Sequence, residues 1–167
     1  MSNSFPRHPN IKLPTIASGD GCYLIDQHGK HYFDAGGAAV SCLGHSDKKV
    51  KNAIKNQLDQ VAFAHTSFFK SRKAEDLCKI LAKHAPGNLD RVYVVSGGSE
   101  AIESAIKLAR QYYLEKNKPS KHRVISRRQG YHGNTLGSLA VGGNQKRREP
   151  FLPLLIESSQ IAPCYEY

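Results

Sequence analysis

No stretch of these 167 residues is apolar for long enough to cross a membrane as a helix. The opening residues, Met1 to Pro14, hold no apolar core of the signal-peptide kind, so a cytoplasmic protein is expected. Cys22, Cys42, Cys78 and Cys164 are scattered with no Cys-x-x-Cys among them, which argues for reduced thiols and against a disulfide frame or a zinc site. His28 and His31 have no third ligand at metal spacing and read as exposed turn residues, so no metal is expected. No glycine loop ends in Gly-Lys-Ser/Thr and no G-x-G-x-x-G occurs, which excludes a P-loop and a dinucleotide fingerprint. Internal repeats and low-complexity tracts are absent. The net charge is +10, but no nucleic-acid fold signature accompanies it. Its cations are dispersed over Lys48-Lys49, Lys121-His122-Arg123, Arg127-Arg128 and Lys146-Arg147-Arg148, so solvated faces are expected rather than a nucleic-acid partner.

What is present suits an ordinary globular chain, with 40% hydrophobic and 23% charged residues and length enough for one domain with a core. Met1 to Ala17 is polar and proline-punctuated and reads as an irregular arm. Gly21 to Asp34 reads as a β-hairpin, with strands at Cys22–Ile25 and His31–Phe33. Asp34 to His45 is rich in glycine and nearly uncharged, as loops that line sites often are. His45 reads as a helix-entry residue before Asp47. Apolar spacing predicts helices over Ser46–Val61 and Ser71–His84. A short strand is expected at Arg123–Ser126, a turn at Gln129–Thr135 and a helix at Leu136–Val141. A basic loop over Gln145–Pro153 is expected to lead to a strand start at Leu154–Ile156. Strands alternating with helices argue for an α/β fold with a mainly parallel sheet.

The chain is organised around Arg91–Tyr113. Val92-Tyr93-Val94-Val95 reads as a strand, Ser96-Gly97-Gly98-Ser99 breaks it, and Ile102, Ile106, Ala109 and Tyr113 mark an amphipathic helix. The first N–H groups of a helix lack partners and carry partial positive charge, which attracts an anion. Gly97 and Gly98 allow a ligand close to the backbone, Ser99 can cap the helix and donate its hydroxyl, and Glu100 suits the dipole. By themselves these residues fit a phosphate site of several kinds, and fit equally a turn that binds nothing.

The stretch from Ser96 to Tyr113 closely resembles the cofactor-phosphate segment of class III aminotransferases, pyridoxal-phosphate enzymes of fold type I. Three further motifs follow the family's order: Gly21–Asp26 with Gly29 and Tyr32-Phe33-Asp34, Gly36-Gly37 with Val40 and Leu43-Gly44-His45, and Tyr131-His132-Gly133-Asn134-Thr135. The resemblance runs from about Gly19 to the last residue. It implies an α/β chain that is the N-terminal portion of a fold-type I enzyme: an arm over 1–18, a hairpin, substrate-side loop and first helix over 19–70, and an incomplete cofactor-binding domain over 71–167. It implies pyridoxal 5'-phosphate as cofactor, with Gly98 and Ser99 on its phosphate, Gly97 shaping the approach, Tyr131 stacked on its ring and His132-Gly133 holding that turn. Ala38, Ala39 and Val40 would border the substrate pocket. The Schiff-base lysine and the carboxylate facing the pyridine nitrogen are expected beyond Tyr167, so no lysine here is assigned a catalytic part. The implied reaction moves an amino group from an amine or amino acid to a 2-oxo acid in a homodimer. The alternative is a non-catalytic truncated fragment or a subunit-interaction piece of such an enzyme. Either way, a chain of this extent is expected to leave sheet edges and apolar faces uncovered.

Overall fold

The structure, a computed structural model, describes residues 3–36 and 42–165. It divides into two compact units, Met1–Glu75 and Asp76–Tyr167.

In the first unit, β1 (Ile16–Asp20), β2 (Tyr23–Asp26) and β3 (His31–Phe33) form an antiparallel sheet in the order β1-β2-β3. The expected hairpin is present. The arm, however, is not irregular to Ala17, because Ile16 already pairs with Asp26. Its Ala-Ser-Gly run has weak strand propensity, and pairing with β2 overrides that preference. Asp26 closes the β2–β3 turn. Its Oδ1 accepts from the N–H of His28 at 2.9 Å and of Lys30 at 3.0 Å, and its Oδ2 accepts from the Tyr32 hydroxyl at 3.0 Å. Burial pushes the Asp26 carboxyl up, but these donors outweigh it and hold the group below the ordinary aspartate range. The same contact raises Tyr32. His45 is more than a helix-entry residue: its Nε2 lies 2.8 Å from Asp34 Oδ2. Asp47 then caps α1 (Lys48–Gln60) by accepting from the Val50 N–H at 2.8 Å. The apolar stripe Val50, Ile54 and Leu58 is exposed. Helix α2 (Arg72–His84) runs across the division between the units.

The second unit holds α3 (Gly98–Glu115), β4 (Ile125–Arg127), α4 (Leu136–Ala140), α5 (Gln145–Arg148), a 3-10 helix at Glu149–Leu154 and β5 (Ser159–Ile161). β4 and β5 pair in parallel, Ile125 with Ser159 and Arg127 with Ile161. Three expectations need correction. Val92–Val95 forms no strand, since no described residue supplies a ladder partner. The loop expected over Gln145–Pro153 is helical, started by Asn144, whose side chain accepts from the Arg147 N–H, and continued with Pro150 in the first turn of the 3-10 segment. Leu154–Ile156 starts no strand, and β5 lies further on. Among the described residues, the buried apolar core is Leu139, Ala140 and Val141, on and just after α4.

Candidate functional site

α3 opens at Gly98, with Gly97 as an extended cap residue whose φ is −158°. The first backbone bond of the helix joins the Ala101 N–H to the Gly97 carbonyl at 3.0 Å. Among the described residues, no backbone acceptor meets the N–H groups of Gly98, Ser99 and Glu100. These are the orphan donors every helix start presents. Glu100 reaches back to accept from the Ser96 N–H at 2.9 Å, which fixes the turn leading into the helix. A Cβ built on Gly97 or on Gly98 would meet nothing within 4 Å, and neither residue has a positive φ. The protein's own packing therefore does not require glycine at either position; it leaves the backbone bare.

Ser99 differs from its expected role. It is not the cap, because the helix has already begun. Its hydroxyl accepts from the Asn134 N–H at 3.0 Å and lies 3.4 Å from Asn134 Oδ1. Ser99 thus joins the start of α3 to the Tyr131–Thr135 turn. Gly133 in that turn is buried at φ +128°, and a Cβ there would collide with the hydroxyls of Ser99 and Ser138. Only glycine satisfies both restrictions.

The turn is fixed from two other sides. The Gly130 carbonyl accepts from the Gly143 N–H at 2.8 Å, and the Gly143 carbonyl accepts from the Gln129 N–H at 2.9 Å. One α3 turn beyond Ser99, Glu103 extends its carboxylate to the start of α4. Its Oε1 accepts from the Thr135 hydroxyl at 2.6 Å and from the Ser138 N–H at 3.2 Å. The Thr135 hydroxyl, with help from the N–H groups of Ser138 and Gly137, outweighs burial and holds Glu103 below the ordinary glutamate range. Sequence reasoning did not single out Glu103. The available signal was its four-residue spacing from Ser99, which puts both polar groups on one side of the helix.

Gly98, Ser99, Ile102, Tyr131, His132 and Gly133 line one cavity of about 300 Å³. The structure therefore gathers five of the six residues expected to hold the cofactor, and Gly97 caps the same helix end. This volume lies at the lower end for small-molecule sites. Tyr131 is 64% exposed, and the Arg147 guanidinium lies over its ring at 5.0 Å from the centroid. Chemically, the cavity offers backbone donors for an anion at one end and an aromatic face beside them. Ala38, Ala39 and Val40, expected at the substrate pocket, lie outside the described residues.

A family profile described as aminotransferase class-III matches residues 5–167. The uncharacterized aminotransferase YodT of Bacillus subtilis is 43% identical over 92% of this chain and 35% of its own length. The crystal structure of adenosylmethionine-8-amino-7-oxononanoate aminotransferase from Methanocaldococcus jannaschii superimposes with a TM-score of 0.88 at 35% identity, covering 98% of this chain and 39% of that one. The omega transaminase from Pseudomonas jessenii in complex with PMP gives a TM-score of 0.87 at 27% identity, over 98% of this chain and 38% of that one. The chain thus spans between a third and two fifths of the length of these proteins.

Proposed function

The chain belongs to the class III aminotransferase family, and we propose that its protein moves an amino group from an amine or amino acid to a 2-oxo acid with pyridoxal 5'-phosphate as cofactor. The observation that carries this reading is the meeting of Gly98, Ser99, Tyr131, His132 and Gly133 around one cavity at the start of α3. The residues fit the cofactor. The N–H groups of Gly98, Ser99 and Glu100 suit a phosphate dianion, and the bare backbone at Gly97 and Gly98 admits it closely. The Ser99 hydroxyl keeps the Asn134 N–H on its oxygen and can turn its own hydrogen to a phosphate oxygen. Tyr131 supplies an aromatic face, and Arg147 over that ring holds its orientation. His132 and Gly133 fix the turn that carries it. When bound, the cofactor would supply a ring that takes up electrons from the carbon bearing the amine. These residues hold its phosphate and support its ring. A homodimer is part of the proposal, supported by the exposed aromatics Phe63, Phe68 and Phe69.

A second reading is that the protein holds the cofactor without transferring an amino group. It is supported by the lining of the cavity, which includes no lysine among the described residues. One experiment separates the two. Transfer of ¹⁵N from a labelled amine or amino acid to a 2-oxo acid is followed with and without pyridoxal 5'-phosphate, and bound cofactor is reduced with borohydride and its peptide mapped. Cofactor-dependent transfer that is lost in Tyr131→Ala supports the first reading. Cofactor binding without transfer and without one dominant labelled lysine supports the second. No affinity for the cofactor contradicts both.

A further inference from the structure

Helix α4 is only five residues long and is too short to hold itself together. Its N-terminal donors are met from two places: Thr135, the local cap, and the Glu103 carboxylate on another helix. We propose that Glu103 is a positioning residue, which as a remote cap of α4 fixes the Tyr131–Asn134 turn against the start of α3. This rests on the reading that the turn seats the cofactor ring.

Four observations lead there. Thr135, the residue Glu103 grips at 2.6 Å, directly follows Asn134. Asn134 is in turn held by Ser99, four residues before Glu103 on the same helix. The turn is therefore tied at two successive levels of α3, once by a neutral hydroxyl and once by a charged group. Ser138, the other residue gripped by Glu103, is fully buried beside the only apolar core among the described residues. A bond from a carboxylate at such a place is stronger than a neutral one. Finally, a Cβ on Gly137 would come within 2.5 Å of both Glu103 carboxylate oxygens. The carboxylate lies flat against a backbone that is bare there.

Gly137 provides a test with opposed expectations. It lies inside a helix, where alanine is ordinarily the better residue. A Cβ there would displace the end of the Glu103 side chain and take it off Thr135 and Ser138. If Glu103 only decorates the helix, Gly137→Ala tightens α4; if it positions the turn, Gly137→Ala loosens it.

Amide hydrogen exchange is measured on the full chain at Asn134 and Ser138, together with affinity for pyridoxal 5'-phosphate, for wild type, Glu103→Ala, Glu103→Gln, Gly137→Ala and the exposed α3 control Leu108→Ala. The proposal expects exchange at both amides to rise about tenfold in Glu103→Ala and Gly137→Ala, with a similar loss of cofactor affinity. It expects Glu103→Gln, which keeps an acceptor for Thr135, to recover part of both, and Leu108→Ala to match wild type. Wild-type exchange at Asn134 and Ser138 in Gly137→Ala overturns it. So does loosening of the whole unit in Glu103→Ala with no recovery in Glu103→Gln. If wild type has no affinity for pyridoxal 5'-phosphate, the functional reading falls, and the two exchange rates still decide whether Glu103 holds the turn.

Discussion

Gly133 combines two restrictions that usually occur apart: a φ of +128° and side-chain oxygens on the side where a Cβ would project. Gly133→Ala is expected to cost about 1–3 kcal/mol in backbone strain, before the Ser99 and Ser138 hydroxyls are pushed aside. The cost is checked by the denaturant midpoint, and the damage to the site by loss of the Asn134 N–H bond to Ser99. Gly98 is the opposite case, because nothing in the protein resists a side chain there. Gly98→Val is therefore expected to leave stability near wild type, within the helix-propensity difference, and to lower affinity for pyridoxal 5'-phosphate to that for pyridoxal. Comparing melting with binding for this variant separates packing from function. Glu103 sets a pH dependence. Its carboxyl titrates below the ordinary glutamate value of 4.5, chiefly through the Thr135 hydroxyl, with Lys107 adding to the effect. A group lowered on folding stabilises above its unfolded value and loses that contribution as pH falls through its folded value. The Ser138 amide resonance is thus expected to hold steady down to about pH 4.5 and to move at lower pH. Movement beginning near pH 6 would contradict the assignment.

At the scale of elements, caps decide where helices start, and each is a separable contribution. Asp47→Ala removes the cap of α1 and is expected to cost about 1 kcal/mol, read as lower helicity. Thr135→Ala takes away the local cap of α4 and the Glu103 contact together, so its effect on Ser138 protection should exceed that of an isolated cap. The long periodic helices and the hairpin were legible in the sequence, because their signals are local: the Val50–Ile54–Leu58 spacing, and the Gly29 turn between two short strands. β1 was not, because its pairing depends on β2 rather than on its own residues. Val92–Val95 has every local mark of a strand and is none, since a strand exists only with a partner. At the site, Gly98, Tyr131 and their neighbours were legible through motif resemblance. The ties between them were not. Ser99 with Asn134, and Glu103 with Thr135, are separated by 35 and 32 residues in the chain, and no local pattern specifies such pairs.

At the scale of the whole molecule, apolar surface outruns apolar core. Among the described residues, Leu139, Ala140 and Val141 are buried, while long apolar side chains on α1, α2 and α3 are exposed. An apolar cleft of about 580 Å³ lies between α3 and β4, lined by Ile102, Ile106, Ala109, Val124 and Ile125. Exposed apolar surface of this kind favours association. Sedimentation velocity of the 167-residue chain is expected to show mass rising with concentration; a compact monomer that unfolds cooperatively would count against that. The central claim is narrower: the open start of α3 and the Tyr131 turn together form a seat for a phosphorylated aromatic cofactor. Its most direct test is a titration of the chain with pyridoxal 5'-phosphate and with pyridoxal, for wild type and Gly98→Val. The claim predicts that wild type binds the phosphorylated form at least about tenfold more tightly, as expected for charge-assisted bonds to one dianion, and that Gly98→Val removes the preference. Equal affinity for the two compounds, or a preference that survives Gly98→Val, would contradict it.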